Sequence, residues 1–116
     1  MLEKEIQSKA ESYLNEFGLK FIHIPDSVLG HIAQHGASQV RNAVSRSLKG
    51  IPDLLIFSKS EKFNHCFMLE LKTEKGTLRQ GQINWHKGQN VVVTYGWDEA
   101  RKAIDEFIEF IDKEQE

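Results

Sequence analysis

Glu70 and Lys72 stand two residues apart in the run Cys66-Phe67-Met68-Leu69-Glu70-Leu71-Lys72, and Asp53 opens a second apolar run, Asp53-Leu54-Leu55-Ile56-Phe57. A carboxylate and an ammonium on so apolar a segment cost desolvation energy unless they are paired or bound to a metal. In an extended segment side chains alternate between two faces, so Glu70 and Lys72 point the same way, roughly 7 Å apart. Phe67, Leu69 and Leu71 take the other face and pack into a core. Paired antiparallel about a connector centred near Lys62, the two runs set Asp53 opposite Leu71, with Glu70 and Lys72 as its neighbours across the ladder. Two carboxylates at one point make a site for a hard divalent cation, which takes oxygen ligands and keeps several waters. The Leu71 carbonyl offers a third ligand. A lysine beside such a cation orients or deprotonates an attacking water and counters charge on a phosphate. These parts suffice to hydrolyse a phosphodiester with no organic cofactor. The structural alternative is a pair of edge charges and an Asp that caps a strand. Against it, Glu70-Leu71-Lys72 is the only Glu/Asp-x-Lys in the chain, lies on its most apolar run and follows a Pro-Asp.

The elements that must position these residues are legible from periodicity. Leu2, Ile6, Ala10, Tyr13, Leu14 and Phe17 fall at helical spacing, which predicts a helix from Leu2 to Phe17, stopped at Gly18. Leu19 to Pro25 reads as a short strand, and Asp26 to Gly36 as loop. A short amphipathic turn or helix is expected over Ser38 to Leu48. Gly50-Ile51-Pro52 is punctuation before the strand 53–57, and Ser58 to His65 is a polar connector to the strand 66–72. Leu78 to Lys87 makes a short helix ended by Gly88. Asn90 to Tyr95, with three successive valines, is β-branched and strand-like. Asp98 to Lys113 is an amphipathic helix with Ala100, Ala103, Ile104, Phe107, Ile108 and Ile111 on its inner face. The order is α-β-β-β-α-β-α, which points to a layered α/β domain with a mixed sheet.

Bulk properties set the outer limits. A chain of 116 residues favours one domain with a core that needs no staples. No run nears the roughly 20 apolar residues that span a bilayer. The charged, helical start MLEKEIQSKA lacks the apolar stretch of a signal peptide, so an intracellular, cytoplasmic protein is expected. The single Cys66 makes no internal disulfide, and no Cys/His spacing suggests zinc. Net charge is −2, yet from Ser27 to Pro52 there is no Asp or Glu, while Arg41, Arg46, Lys49, His31 and His35 lie there. That stretch is a candidate phosphate-contacting edge on an otherwise acidic chain.

Gly50-Ile51-Pro52-Asp53-Leu54 followed by Glu70-Leu71-Lys72 resembles the PD-(D/E)xK nuclease superfamily, and more narrowly its VRR-NUC branch. That branch reads approximately G-x-P-D-L, then E-x-K, then G-x-L and a Gln four residues past the Leu, here Gly76, Leu78 and Gln82. It also tends to begin with a helix carrying E-x-x-I-Q, matched by Glu3, Ile6 and Gln7. The resemblance spans nearly the whole chain, and standalone phage and bacterial members have about this size. It implies a restriction-endonuclease-like three-layer fold, a central mixed sheet flanked by helices. It implies a Mg²⁺-dependent DNA endonuclease, with Mn²⁺ able to substitute. Asp53 and Glu70 would bind metal, Lys72 would act near the nucleophilic water, and Glu3 would touch the metal through water, with Glu5 as the alternative. Gln82 would support the site or touch substrate. Small standalone members are similar to Holliday-junction resolvases, so branched DNA and a two-fold homodimer are expected. The alternatives are a non-catalytic DNA-binding or interaction module on the same fold, or a flap or nicking nuclease. The segment after Gln82 is short for the branch. Trp85, within it, is read as core, and His86 as either a surface residue or a phosphate contact; neither joins the catalytic set.

Overall fold

A computed structural model describes residues 1–23, 50–58 and 65–114. The expected structure over Ser38 to Leu48 lies outside them, as do the loop 26–36 and the last residues of the strand proposed to reach Pro25. Among the described residues the chain runs α1 (Glu3–Glu16), β1 (Lys20–Ile22), β2 (Leu54–Phe57), β3 (Cys66–Lys72), α2 (Gln80–His86), β4 (Val91–Tyr95) and α3 (Trp97–Glu114). The four strands form one sheet in the order β1-β2-β3-β4. The first two pairings are antiparallel and β3–β4 is parallel, with α2 in the connection between them.

Burial follows the periodicities. Ile6, Ala10 and Leu14 form the buried stripe of α1, and Ala100, Ala103, Ile104, Phe107 and Ile111 that of α3. Both stripes close on Leu54, Ile56, Leu69 and Leu71, with Phe67 and Val92 packed against the cluster. Leu2 and Phe17, at the two caps of α1, are exposed rather than part of its stripe. Tyr13 on α1 hydrogen-bonds Asp105 on α3 and ties the two helices together. Alternation along β3 sends Glu70 and Lys72 to the opposite face, where Gln82 of α2 meets Glu70. The arrangement is helices, sheet, helix, the three layers expected.

The register differs from expectation by one residue. Leu54 pairs with Leu69 and Ile56 with Phe67. Extended one step, the ladder puts Asp53 opposite Glu70, not Leu71. The reason is burial. The expected register would place Leu54 opposite Glu70 and Leu55 opposite Leu69, mixing core and polar faces. A one-residue slip exchanges every side chain between faces, so the apolar pairs decide it. The shift brings Asp53 onto the same face as Glu70 and Lys72.

Candidate active site

The site begins at Gly50. Its φ is +87°, and a Cβ there would lie 2.2 Å from the Gly81 carbonyl oxygen at the start of α2. Only glycine allows both the left-handed backbone and this approach. The turn therefore packs directly under α2, and Pro52, buried, leads into Asp53. Asp53 is held at two points. Its Oδ2 accepts the Leu71 N–H at 2.7 Å, replacing the backbone partner that β2 no longer supplies. Its carbonyl lies 2.9 Å from Nδ1 of His23, just past β1. Strand geometry sends the Leu71 carbonyl to the same edge as its N–H, toward Asp53.

Glu70 is fully buried. Its Oε1 accepts from Gln82 Nε2 at 3.0 Å, and the Gln82 oxygen in turn accepts the Arg79 N–H at 2.9 Å, fixing the amide against the first turn of α2. Its backbone carbonyl accepts the Thr94 hydroxyl from β4. Oε2 of Glu70 has no hydrogen-bond partner, nor do Nε2 of Gln7 and Nε2 of His86; these are the buried side-chain polar atoms without one among the described residues. Ligand atoms of Glu3, Asp53 and Glu70 all lie within 4.8 Å of one another. Oxygen ligands about 2.1 Å from a Mg²⁺ ion are separated by about 3–4 Å, so a spread of up to 4.8 Å suits two of these carboxylates on one hard cation with the third acting through water. Glu5, by contrast, is committed elsewhere: its carboxylate accepts the Leu2 N–H at 3.0 Å and caps α1.

The electrostatics agree with that fit. Burial, then the neighbouring Asp53 carboxyl, push Glu70 up to about 9 from its ordinary 4.5; Glu3 adds to the rise and Lys72 opposes it. A proton thus compensates charge that a cation would otherwise neutralise. The orphaned Oε2 and this excess of buried negative charge both suit a divalent ion. Burial and the nearby Lys72 hold the His86 imidazole below its usual range, against a smaller opposing pull from Asp53.

The structure brings together Glu3, Asp53, Glu70, the Leu71 backbone, Lys72 and Gln82. Arg41, Arg46 and Lys49 lie outside the described residues. Sequence reasoning set aside His86, whose Nε2 lies 3.9 Å from Glu70 Oε1, and did not single out His23. His86 follows Gln82 by four residues, hence on the same helical face, and that spacing was the available signal. His23 offers none: its contact joins positions 30 residues apart. Trp85, read as core, is half-buried beside His86.

A four-stranded mixed sheet with helices on both faces is an α/β fold of the restriction-endonuclease-like kind. A solved structure described as a VRR_NUC domain protein has this fold: it is similar over 94% of this chain and 89% of that one, with a TM-score of 0.63 and 19% sequence identity. No family model matches the sequence. No curated protein matches it either. Among the described residues no helix is long and apolar enough to cross a membrane.

Proposed function

We propose that this chain is a divalent-metal-dependent DNA endonuclease, one domain over residues 1–116, that acts inside cells as a homodimer on branched DNA such as four-way junctions. The observation that carries the reading is the convergence of Glu3, Asp53 and Glu70 within 4.8 Å, on the sheet face that Lys72 shares. Asp53, Glu70 and the Leu71 carbonyl would hold the cation, Mg²⁺ or Mn²⁺, and Glu3 would act on it through water. Bound there, it supplies Lewis-acid polarisation of a phosphate and acidifies a nearby water.

The chain's own groups do the rest. Asp53 is kept in place by the Leu71 N–H, and Glu70 by Gln82. Lys72, two residues along the same strand face, orients the attacking water and counters charge on the phosphate. The water oxygen bonds to phosphorus as the water gives up one proton to solvent, the bond to one bridging oxygen breaks, and that oxygen takes up a proton in return. Arg41, Arg46 and Lys49 contribute phosphate contacts, which supply affinity and position without sequence information. A two-fold dimer presents two identical sites to a two-fold substrate.

The test is cleavage of labelled four-way junction, flap, nicked and linear duplex DNA with Mg²⁺ or Mn²⁺. The native chain cuts the junction in preference to the linear duplex. Asp53→Asn keeps an acceptor for the Leu71 N–H, so it folds, but cutting falls by at least about 100-fold; Lys72→Ala falls comparably. Cleavage that persists in both variants rejects the site. A native chain that binds DNA but neither cuts it nor binds metal is a binding module instead.

A further inference from the structure

We propose that His86 is a positioning residue for the candidate metal site: its Nε2–H joins Gln82 in bracing Glu70 Oε1, which commits Oε2 to the cation. The inference rests on the nuclease reading above and assigns that site a further member.

The two oxygens of Glu70 have different surroundings. Oε1 faces α2, with Gln82 Nε2 at 3.0 Å and His86 Nε2 at 3.9 Å. Oε2 is buried and has no partner. A carboxylate oxygen accepts two hydrogen bonds. Gln82 supplies one to Oε1, and His86, one helical turn further along α2, sits where the second would come from. The His86 Nε2 atom is itself buried and has no other partner. The gap exceeds a hydrogen bond by about 1 Å, a distance that a small turn of the imidazole closes. Closure is favoured once Glu70 is ionised against a cation, because a charged acceptor makes the stronger bond.

His86 acts on the outer side of Glu70. The cluster that gathers close enough to share one ion is Glu3, Asp53 and Glu70, without His86. The imidazole therefore orients a ligand and is not one itself. Groups in that position fix the rotamer of the ligand, and their loss typically weakens metal binding by 10- to 100-fold.

The experiment titrates Mn²⁺ into the full chain by calorimetry, with no DNA present. His86→Phe keeps the ring volume and loses the donor, and binding weakens by about tenfold or more. His86→Gln restores an N–H within reach of Oε1 and recovers most of the affinity, which a merely space-filling role would not do. If His86→Phe fails to fold, His86→Asn, too short to reach Oε1, carries the same expectation of weakened binding. Unchanged affinity in the Phe and Asn variants overturns the proposal. So does a directly coordinated ¹⁴N signal in the spin-echo spectrum of bound Mn²⁺ that disappears in His86→Phe, which would make His86 a ligand. A native chain that binds no Mn²⁺ removes the nuclease reading as well, and the wild-type titration alone reveals that outcome.

Discussion

Glu70 carries the largest electrostatic tension among the described residues, a fully buried carboxyl beside Asp53 with one oxygen unpartnered. Its pKa is raised to about 9, so between its ordinary 4.5 and that value the folded chain binds a proton that the unfolded chain has released. Stability from this group is therefore complete below pH 4.5 and is lost as pH rises toward 9. In a chelator, unfolding free energy falls as pH rises across that window. Glu70→Gln flattens that slope, as urea denaturation at several pH values would record. Mg²⁺ raises the melting temperature of the native chain more at pH 8 than at pH 6, since it competes with the proton, and does little for the Gln variant. An equal slope in both proteins would place the pH dependence elsewhere.

At the scale of elements, the turn before β2 and the start of α2 form one unit. Gly50 lies against Gly81, and Gln82 next in line reaches Glu70. Gly50→Ala adds a Cβ at 2.2 Å from backbone and strains a φ of +87°. The backbone penalty alone is about 1–3 kcal/mol, and the clash displaces the helix that holds Gln82. Gly88 is the control. Its φ is +75°, but an added Cβ meets nothing within 4 Å. Gly88→Ala therefore costs only that backbone penalty, about 1–2 kcal/mol. Thermal unfolding should rank Gly50→Ala well below Gly88→Ala, and metal titration should show weakened binding in the former alone. In the core, Ile104 of α3 is fully buried, and Ile104→Ala loses about 2–5 kcal/mol by chemical denaturation.

On the proposed function, the whole molecule has to bring a site with several carboxylates to a polyanion while carrying a net charge of −2. The acid-free stretch Ser27–Pro52 is the part of the sequence suited to that task. With catalysis blocked by Asp53→Asn, junction binding should weaken steeply with salt. Replacing Arg41, Arg46 and Lys49 together with Ala should lower the log–log salt slope by about one for each phosphate no longer neutralised. A slope unaltered by the triple change would move the DNA-binding edge to another surface. Sedimentation should give twice the protomer mass; a monomer that still cuts junctions would remove the two-fold geometry from the proposal.

The sequence by itself determined the elements and named most of the residues that the fold gathers into the candidate site. Helical stripes such as Ile6, Ala10, Leu14 and Ala100, Ile104, Phe107 are periodic signals written into neighbouring residues, and β3 is found where it was expected, Cys66–Lys72. Asp53, Glu70 and Lys72 stood out because charge on an apolar strand is costly. Tertiary structure alone decided the register, since pairing depends on which faces of β2 and β3 meet the same core. It also separated Glu3, in the carboxylate cluster, from Glu5, which caps its own helix. His23 and His86 took their places beside Asp53 and Glu70 across 30 and 16 positions of chain. A local pattern fixes what a segment can become; long-range packing fixes which side chains meet.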